Sequence, residues 1–135
     1  MLVPHNALVA VADGAKLTLF RNRGREGHLE LEQIETPALH PHAPSSGGHH
    51  HASTANPDHG QLGEDAFAAA VSAWLDAEVQ AGRIEKVFVI ASARTLGEMR
   101  PHYSTGLKAA LLGEEHKELV GHDIAEVTAT VNAAR

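Results

Sequence analysis

Residues 7–12 form an almost unbroken apolar run, Ala7-Leu8-Val9-Ala10-Val11-Ala12, the pattern of a short strand covered on both faces. Asp13-Gly14 follows as a hairpin turn signal. Residues 15–22 then alternate, with Leu17 and Leu19 set against Lys16, Thr18 and Phe20. A second turn is expected at Arg23-Gly24-Arg25-Glu26-Gly27, where the chain reverses before a third alternating stretch. In residues 28–36, Leu29, Leu31 and Gln33 fall on one face and Glu30, Glu32 and Ile34 on the other. These three segments predict an antiparallel meander whose first strand is the most buried.

From Glu64 the period becomes helical. Ala66, Phe67, Ala70, Val71, Trp74 and Leu75 share one face, with Asp65, Ser72, Asp76 and Gln80 opposite. Phe67 and Trp74 are therefore expected in the core. Glu64 and Asp65 suit the positive end of the helix dipole, and Gly82 is placed to end the helix. Residues 86–91 are a β-branched run, a central strand. Residues 95–100 begin a helix that Pro101 must end or kink, and residues 104–112 continue it or start another. Residues 115–120 read as a polar, edge-like strand whose Glu115, Lys117 and Glu118 guard against edge pairing. Asp123 is placed to cap a last helix that buries Ile124, Val127 and Val131.

The order is β-β-β-loop-α-β-α-β-α. Right-handed crossovers put the fourth strand parallel to the first and the fifth beyond it. This predicts a ribonuclease-H-like α/β fold: a mixed five-stranded sheet (β-β-β-α-β-α-β-α) with helices on both faces, as a single domain over residues 1–135.

Residues 37–63 break the pattern. They are rich in proline, glycine, small polar residues and histidine, and have almost no large apolar side chain. We read them as a flexible His-rich loop, and a loop this long inside a compact domain is a place to look for function.

Composition narrows the classes. At 135 residues with 43 % apolar content, the chain can bury one real core. It contains no cysteine, which excludes disulfides, thiolate metal sites and a cysteine nucleophile. No basic segment leads into an apolar one at the amino terminus, and no apolar stretch is long enough for a membrane span. A cytoplasmic protein without membrane partners is expected. The formal charge of −6 disfavours nucleic-acid binding by bulk electrostatics, although a local basic patch remains compatible with it. Eleven histidines would carry that charge to +5 if all were protonated.

Several segments carry a resemblance. They are Val11-Ala12-Asp13-Gly14-Ala15-Lys16-Leu17, the helix of residues 66–75, and the run Gly82-Arg83-Ile84-Glu85-Lys86-Val87-Phe88-Val89-Ile90-Ala91. Arg94-Thr95-Leu96-Gly97-Glu98-Met99-Arg100 and Glu115-His116-Lys117-Glu118-Leu119 complete the set. In this order they resemble the bacterial host attachment proteins, relatives of the archaeal and eukaryal peptide-chain release factors. The resemblance implies a fold like the middle domain of those factors. There, a Gly-Gly-Gln loop between the last meander strand and the first helix acts in peptidyl-tRNA hydrolysis. Here the loop carries Gly47-Gly48-His49; the glutamine is absent, and the glycine pair lies well ahead of the helix. The resemblance therefore implies the fold and an RNA- or ribosome-linked ancestry, or a protein partner, rather than release activity.

Five sets of residues are weighed for chemistry. His49, His50 and His51, with His40, His42 and His59, could ligate Zn²⁺ or another divalent metal. Adjacent histidines cannot all point inward, so weak binding by a solvated tract is the plainer account, and no specific cofactor is expected. A two-metal nuclease would need carboxylates such as Asp13 with Glu64, Asp65 or Asp76 to converge. The fourth strand offers none, and Asp13 is better explained as a turn residue. Asp13-Gly14 and Arg94-Thr95 meet if strands one and four are neighbours, at the switch point where open α/β sheets bind ligands. They form a candidate anion site; the plainer account pairs Arg94 with Asp13 and makes Thr95 an N-cap. Arg21, Arg23 and Arg25 are the densest basic cluster, either a solvated turn or a contact for RNA phosphate. Ser45-Ser46 lacks the Gly-x-Ser-x-Gly elbow of a hydrolase. A non-enzymatic binding module is the leading reading. The alternatives are a hydrolase of peptidyl-tRNA-like esters working through the His-rich loop, and a weak metal-binding protein. Oligomeric state stays open.

Overall fold

A computed structural model of the chain describes residues 2–39 and 59–134. Three strands come first: β1 (Leu8–Ala12), β2 (Leu17–Asn22) and β3 (Leu31–Ile34). Helix α1 (His59–Gln80) leads to β4 (Val87–Ala91), then to α2 (Ala93–Met99) and a 3-10 turn (Arg100–His102). Helix α3 (Thr105–Ala110), β5 (Leu111–His116) and α4 (Ile124–Ala133) complete the chain. The sheet order is β3-β2-β1-β4-β5. β1 is antiparallel to β2 and parallel to β4, and β4 is parallel to β5. This is the mixed ribonuclease-H-like sheet that the residue pattern predicts.

Every residue of β1 and β4 is buried, which explains their continuous apolar runs. Alternation divides them between two cores. Leu8, Ala10, Ala12, Val87, Val89 and Ala91 face one side, where Phe67, Val71 and Leu75 of α1 pack with Leu96 and Met99 of α2 and Leu107 of α3. Val9, Val11, Phe88 and Ile90 face the other side, covered by Val127 and Val131 of α4. Helices thus lie on both faces. Among the described residues, none is long and apolar enough to cross a membrane.

Several boundaries differ from the pattern reading. α1 begins at His59, so the start of the helix takes up the end of the expected loop and places Glu64 and Asp65 in its second turn. Once a helical nucleus exists, adding residues costs little. Ser72, expected on the polar face, is fully buried, its hydroxyl 2.9 Å from the Ala68 carbonyl oxygen and 3.3 Å from that of Met99. Trp74 is only partly buried against the first core. β5 starts at Leu111 rather than residue 115, because Leu111 and the residues after it pair with β4; the ladder, not helical periodicity, decides them. Ile124 is exposed on α4. The expected end of α1 at Gly82 and the Asp123 cap are both present: the Gly82 N–H donates to Val79, and Asp123 Oδ1 accepts from the Glu126 amide.

Two polar clusters bind these elements. Asn22 is completely buried. Its Nδ2 donates to the Val3 and Pro4 carbonyls at 3.0 and 3.2 Å, and its Oδ1 accepts from the Gly24 and Glu30 amides at 2.9 and 3.0 Å. One side chain therefore joins the N-terminal segment, the end of β2 and the approach to β3. At the opposite edge, the Tyr103 hydroxyl donates to Glu114 Oε2 at 2.9 Å, while Arg100 binds Oε1 of the same carboxylate at 2.8 Å. Burial, and then the Glu114 charge, push the Tyr103 phenol upward. Ser104 caps α3 and donates to Asp76 of α1.

Asn22→Ala should cost about 3 kcal/mol in urea denaturation, because four backbone groups lose their partner in a dry site; a loss below about 1 kcal/mol would mean that solvent replaces it. For Tyr103, the folded value lies above the unfolded one. Its contribution is therefore complete below pH 10, the ordinary phenol value, and is lost as pH rises beyond it, when the unfolded chain ionises first. Tyr103→Phe should flatten the fall in stability above about pH 10; an unchanged slope would place the phenol in solvent.

Candidate functional site

The carboxyl ends of the parallel strands gather the polar residues singled out from the sequence. Ala12 and Ala91 are register partners at the ends of β1 and β4, so Asp13-Gly14 and Ser92-Ala93-Arg94 leave the sheet side by side. Lys117 joins them beyond β5, its N–H donating to the Ala91 carbonyl at 2.9 Å. This is the switch-point edge of the sheet.

Asp13 closes its own turn. Its Oδ1 accepts from the Ala15 and Lys16 amides at 2.7 and 2.6 Å, and its N–H donates to the Lys16 carbonyl. Gly14 lies directly beneath Glu64 of α1: a Cβ there would sit 2.6 Å from Glu64 Cγ. A side chain at this position would displace the Glu64 side chain from over the turn. Glu64 in turn reaches Arg94, Oε1 to Nε at 3.5 Å, and Glu98 approaches the same nitrogen at 3.4 Å. Arg94 is thus held between two carboxylates and remains more than half exposed.

Two expectations change here. Arg94 does not pair with Asp13, whose carboxylate is turned into its own hairpin; Glu64 and Glu98 hold it instead. The N-cap of α2 is Ser92, not Thr95: Ser92 Oγ accepts from the Thr95 amide at 3.1 Å and donates to Thr95 Oγ1 at 3.0 Å. Thr95 is buried and points into the fold. The Arg94–Glu98 spacing of four residues was visible in the sequence. The Glu64 contact was not, because it depends on how α1 crosses the β1–β2 turn.

Leu39, the last described residue before the histidine-rich segment, borders this pole beside Lys16 and Phe67, and Glu64 lies in the second turn of α1 where the chain returns. Gly47, Gly48, His49, His50 and His51 themselves lie outside the described residues. Among the described residues, no three histidine, aspartate or glutamate side chains are grouped to hold a metal ion. Asp76 is engaged with Ser104 and lies away from Asp13 and Glu64 in this arrangement.

Fold and site together define a ribonuclease-H-like α/β domain with a polar switch-point pole from which a long insertion departs. The chain belongs to the bacterial archaeo-eukaryotic release factor family 12, whose pattern it matches over residues 6–131. No match was found among curated proteins.

Glu64 and Arg94 are both substantially exposed, so their attraction is screened by water. A double-mutant cycle with Glu64→Gln and Arg94→Gln should give a coupling of at most about 1 kcal/mol, shrinking with added salt. A larger, salt-insensitive coupling would show that the pair is shielded when the full chain is in solution.

Proposed function

We propose that the protein is a non-enzymatic binding module of the release-factor family that acts in the cytoplasm on RNA of the ribosome. The observation that carries this reading is Gly47-Gly48-His49 in the insertion where release factors keep Gly-Gly-Gln. The glycine pair stays within the segment between the last meander strand and the first helix, although ahead of the helix, while the glutamine of the hydrolytic loop is gone. At the pole Asp13 closes its own turn and Ser92 caps α2, while Arg94 is more than half exposed, with Glu64 and Glu98 both approaching its Nε. Such an arginine, flanked by exposed backbone turns, suits a phosphate contact that positions a partner. The reading assigns no cofactor. The resemblance to host attachment proteins makes a protein partner the competing outcome.

Sedimentation with ribosomes through a sucrose cushion tests it. The protein should pellet with ribosomes at about 50 mM salt and be released at about 200 mM, as phosphate contacts require. Absence from the pellet at low salt would sink the RNA version. In a peptide-release assay no hydrolysis is expected from the wild-type chain. Release that disappears in His49→Ala would instead establish a hydrolase that uses histidine in place of glutamine.

A further inference from the structure

A second polar cleft, of about 490 Å³, lies at the opposite end of the sheet, where β1 and β4 begin. Its walls come from residues 4–7, from Arg21 on β2, from Glu26 in the following turn, and from Gly82, Arg83, Glu85 and Lys86 ahead of β4. The parallel pairing of Leu8 with Val87 brings these segments together, although the sequence keeps them far apart. The volume lies within the roughly 300–1,000 Å³ of small-ligand sites.

The chemistry inside the cleft is divided. Arg21 is fixed at the rim because its Nη1 donates to the Asn6 carbonyl at 2.9 Å. Asn6 presents that carbonyl from a left-handed turn, φ 69°, held by its N–H bonding the Asn22 carbonyl at 2.8 Å. The Lys86 ammonium has no hydrogen-bond or ion-pair partner among the described residues, whereas the Arg21 charge also acts on Glu78, whose carboxyl pKa the Arg83 hydrogen bond lowers most and Arg21 helps to lower. Arg83 is different: Glu78 binds it through three contacts of 2.7 to 3.0 Å. Lys86 is therefore available to a ligand, and Arg21 keeps guanidinium donors beyond its Asn6 bond while sharing the field of Glu78 with Arg83. Glu26 and Glu85 are exposed acceptors on the same walls. His5 donates from Nδ1 to the Gly24 carbonyl at 2.6 Å, since a carbonyl can only accept, and this bond fixes the ring against the cleft.

Lys86 and the remaining donors of Arg21 suit a phosphate, two carboxylates suit the hydroxyls of a ribose, and a fixed imidazole offers a face on which a base can stack. We propose that this cleft binds one ribonucleotide unit of an RNA chain, with its phosphate at Arg21 and Lys86, its ribose hydroxyls at Glu26 and Glu85, and its base against His5. The inference shares its ligand class with the function proposed above but rests on a separate face.

Fluorescence anisotropy of the full-length protein with a labelled ten-nucleotide oligoriboadenylate at low salt tests the assignment. The oligomer should bind, and Lys86→Ala and Arg21→Ala should each weaken it about tenfold, the loss of one phosphate contact. The deoxy oligomer should bind several-fold more weakly, and Glu85→Gln should reduce that discrimination. Lys86→Ala alters only an exposed side chain, so its effect does not depend on tolerance of the Arg21 site. Unchanged affinity in Lys86→Ala, equal binding of ribo- and deoxy-oligomers, or adenosine monophosphate binding as tightly as the oligomer would each overturn the proposal. Oligomer binding lost in Lys86→Ala but kept in Arg94→Gln would support the cleft even if ribosome sedimentation fails.

Discussion

The rest of the structure depends on the parallel pairing of β1 with β4. Both strands are buried along their whole length, so neither face of the sheet can be left to water. Two parallel strands also cannot be joined by a tight turn; the chain must cross over, and the crossover must cover a face. α1 makes that crossover and lays Phe67, Val71 and Leu75 on one side. The chain after β5 returns to the other, where α4 lays Val127 and Val131. The three-layer arrangement is the consequence of burying two strands that have no polar face.

That pairing also creates the two functional poles. At one end the paired strands stop together at Ala12 and Ala91, which brings the Asp13-Gly14 turn, the Ser92 cap and Arg94 into one neighbourhood. At the other end they begin together, which brings residues 4–7 against residues 82–86. At the first pole Glu64 and Glu98 both approach Nε of the exposed Arg94, and Asp13 is engaged by backbone amides. The second leaves Arg21 and Lys86 with donors to spare. A protein of net charge −6 can still offer a local site for phosphate if its cations are collected where their carboxylate neighbours are not bound to them.

Polar side chains inside the fold act as ties between segments that packing alone would leave loose. Asn22 meets four backbone groups from three segments and so fixes the turn in which Asn6 steadies Arg21. Tyr103 and Arg100 share Glu114 on β5 and anchor the edge strand to the helical layer. Buried groups such as Asn22 and Tyr103 are favourable only when every partner is present. Each tie therefore constrains the geometry around it.

Local pattern determined much of this protein. The continuous run before Asp13, the alternation around Leu17 and Leu19, the β-branched run of β4 and the caps at Gly82 and Asp123 were all legible, because each depends on neighbours within a few residues. The strand order followed from them through the handedness of crossovers. Tertiary structure decided the rest. Leu111 and Leu112 have the character of a helix end, yet they join β5 because β4 offers an unpaired edge whose hydrogen bonds must be met. Ser72 is polar by composition and buried by the crossing of α1 with α2. Arg94 finds Glu64 rather than Asp13 because the Asp13 carboxylate is turned into its own hairpin while the Glu64 side chain lies over Gly14. The cleft of Arg21 and Lys86 exists only because β1 and β4 begin side by side. Sequence spacing cannot express contacts between segments so far apart along the chain.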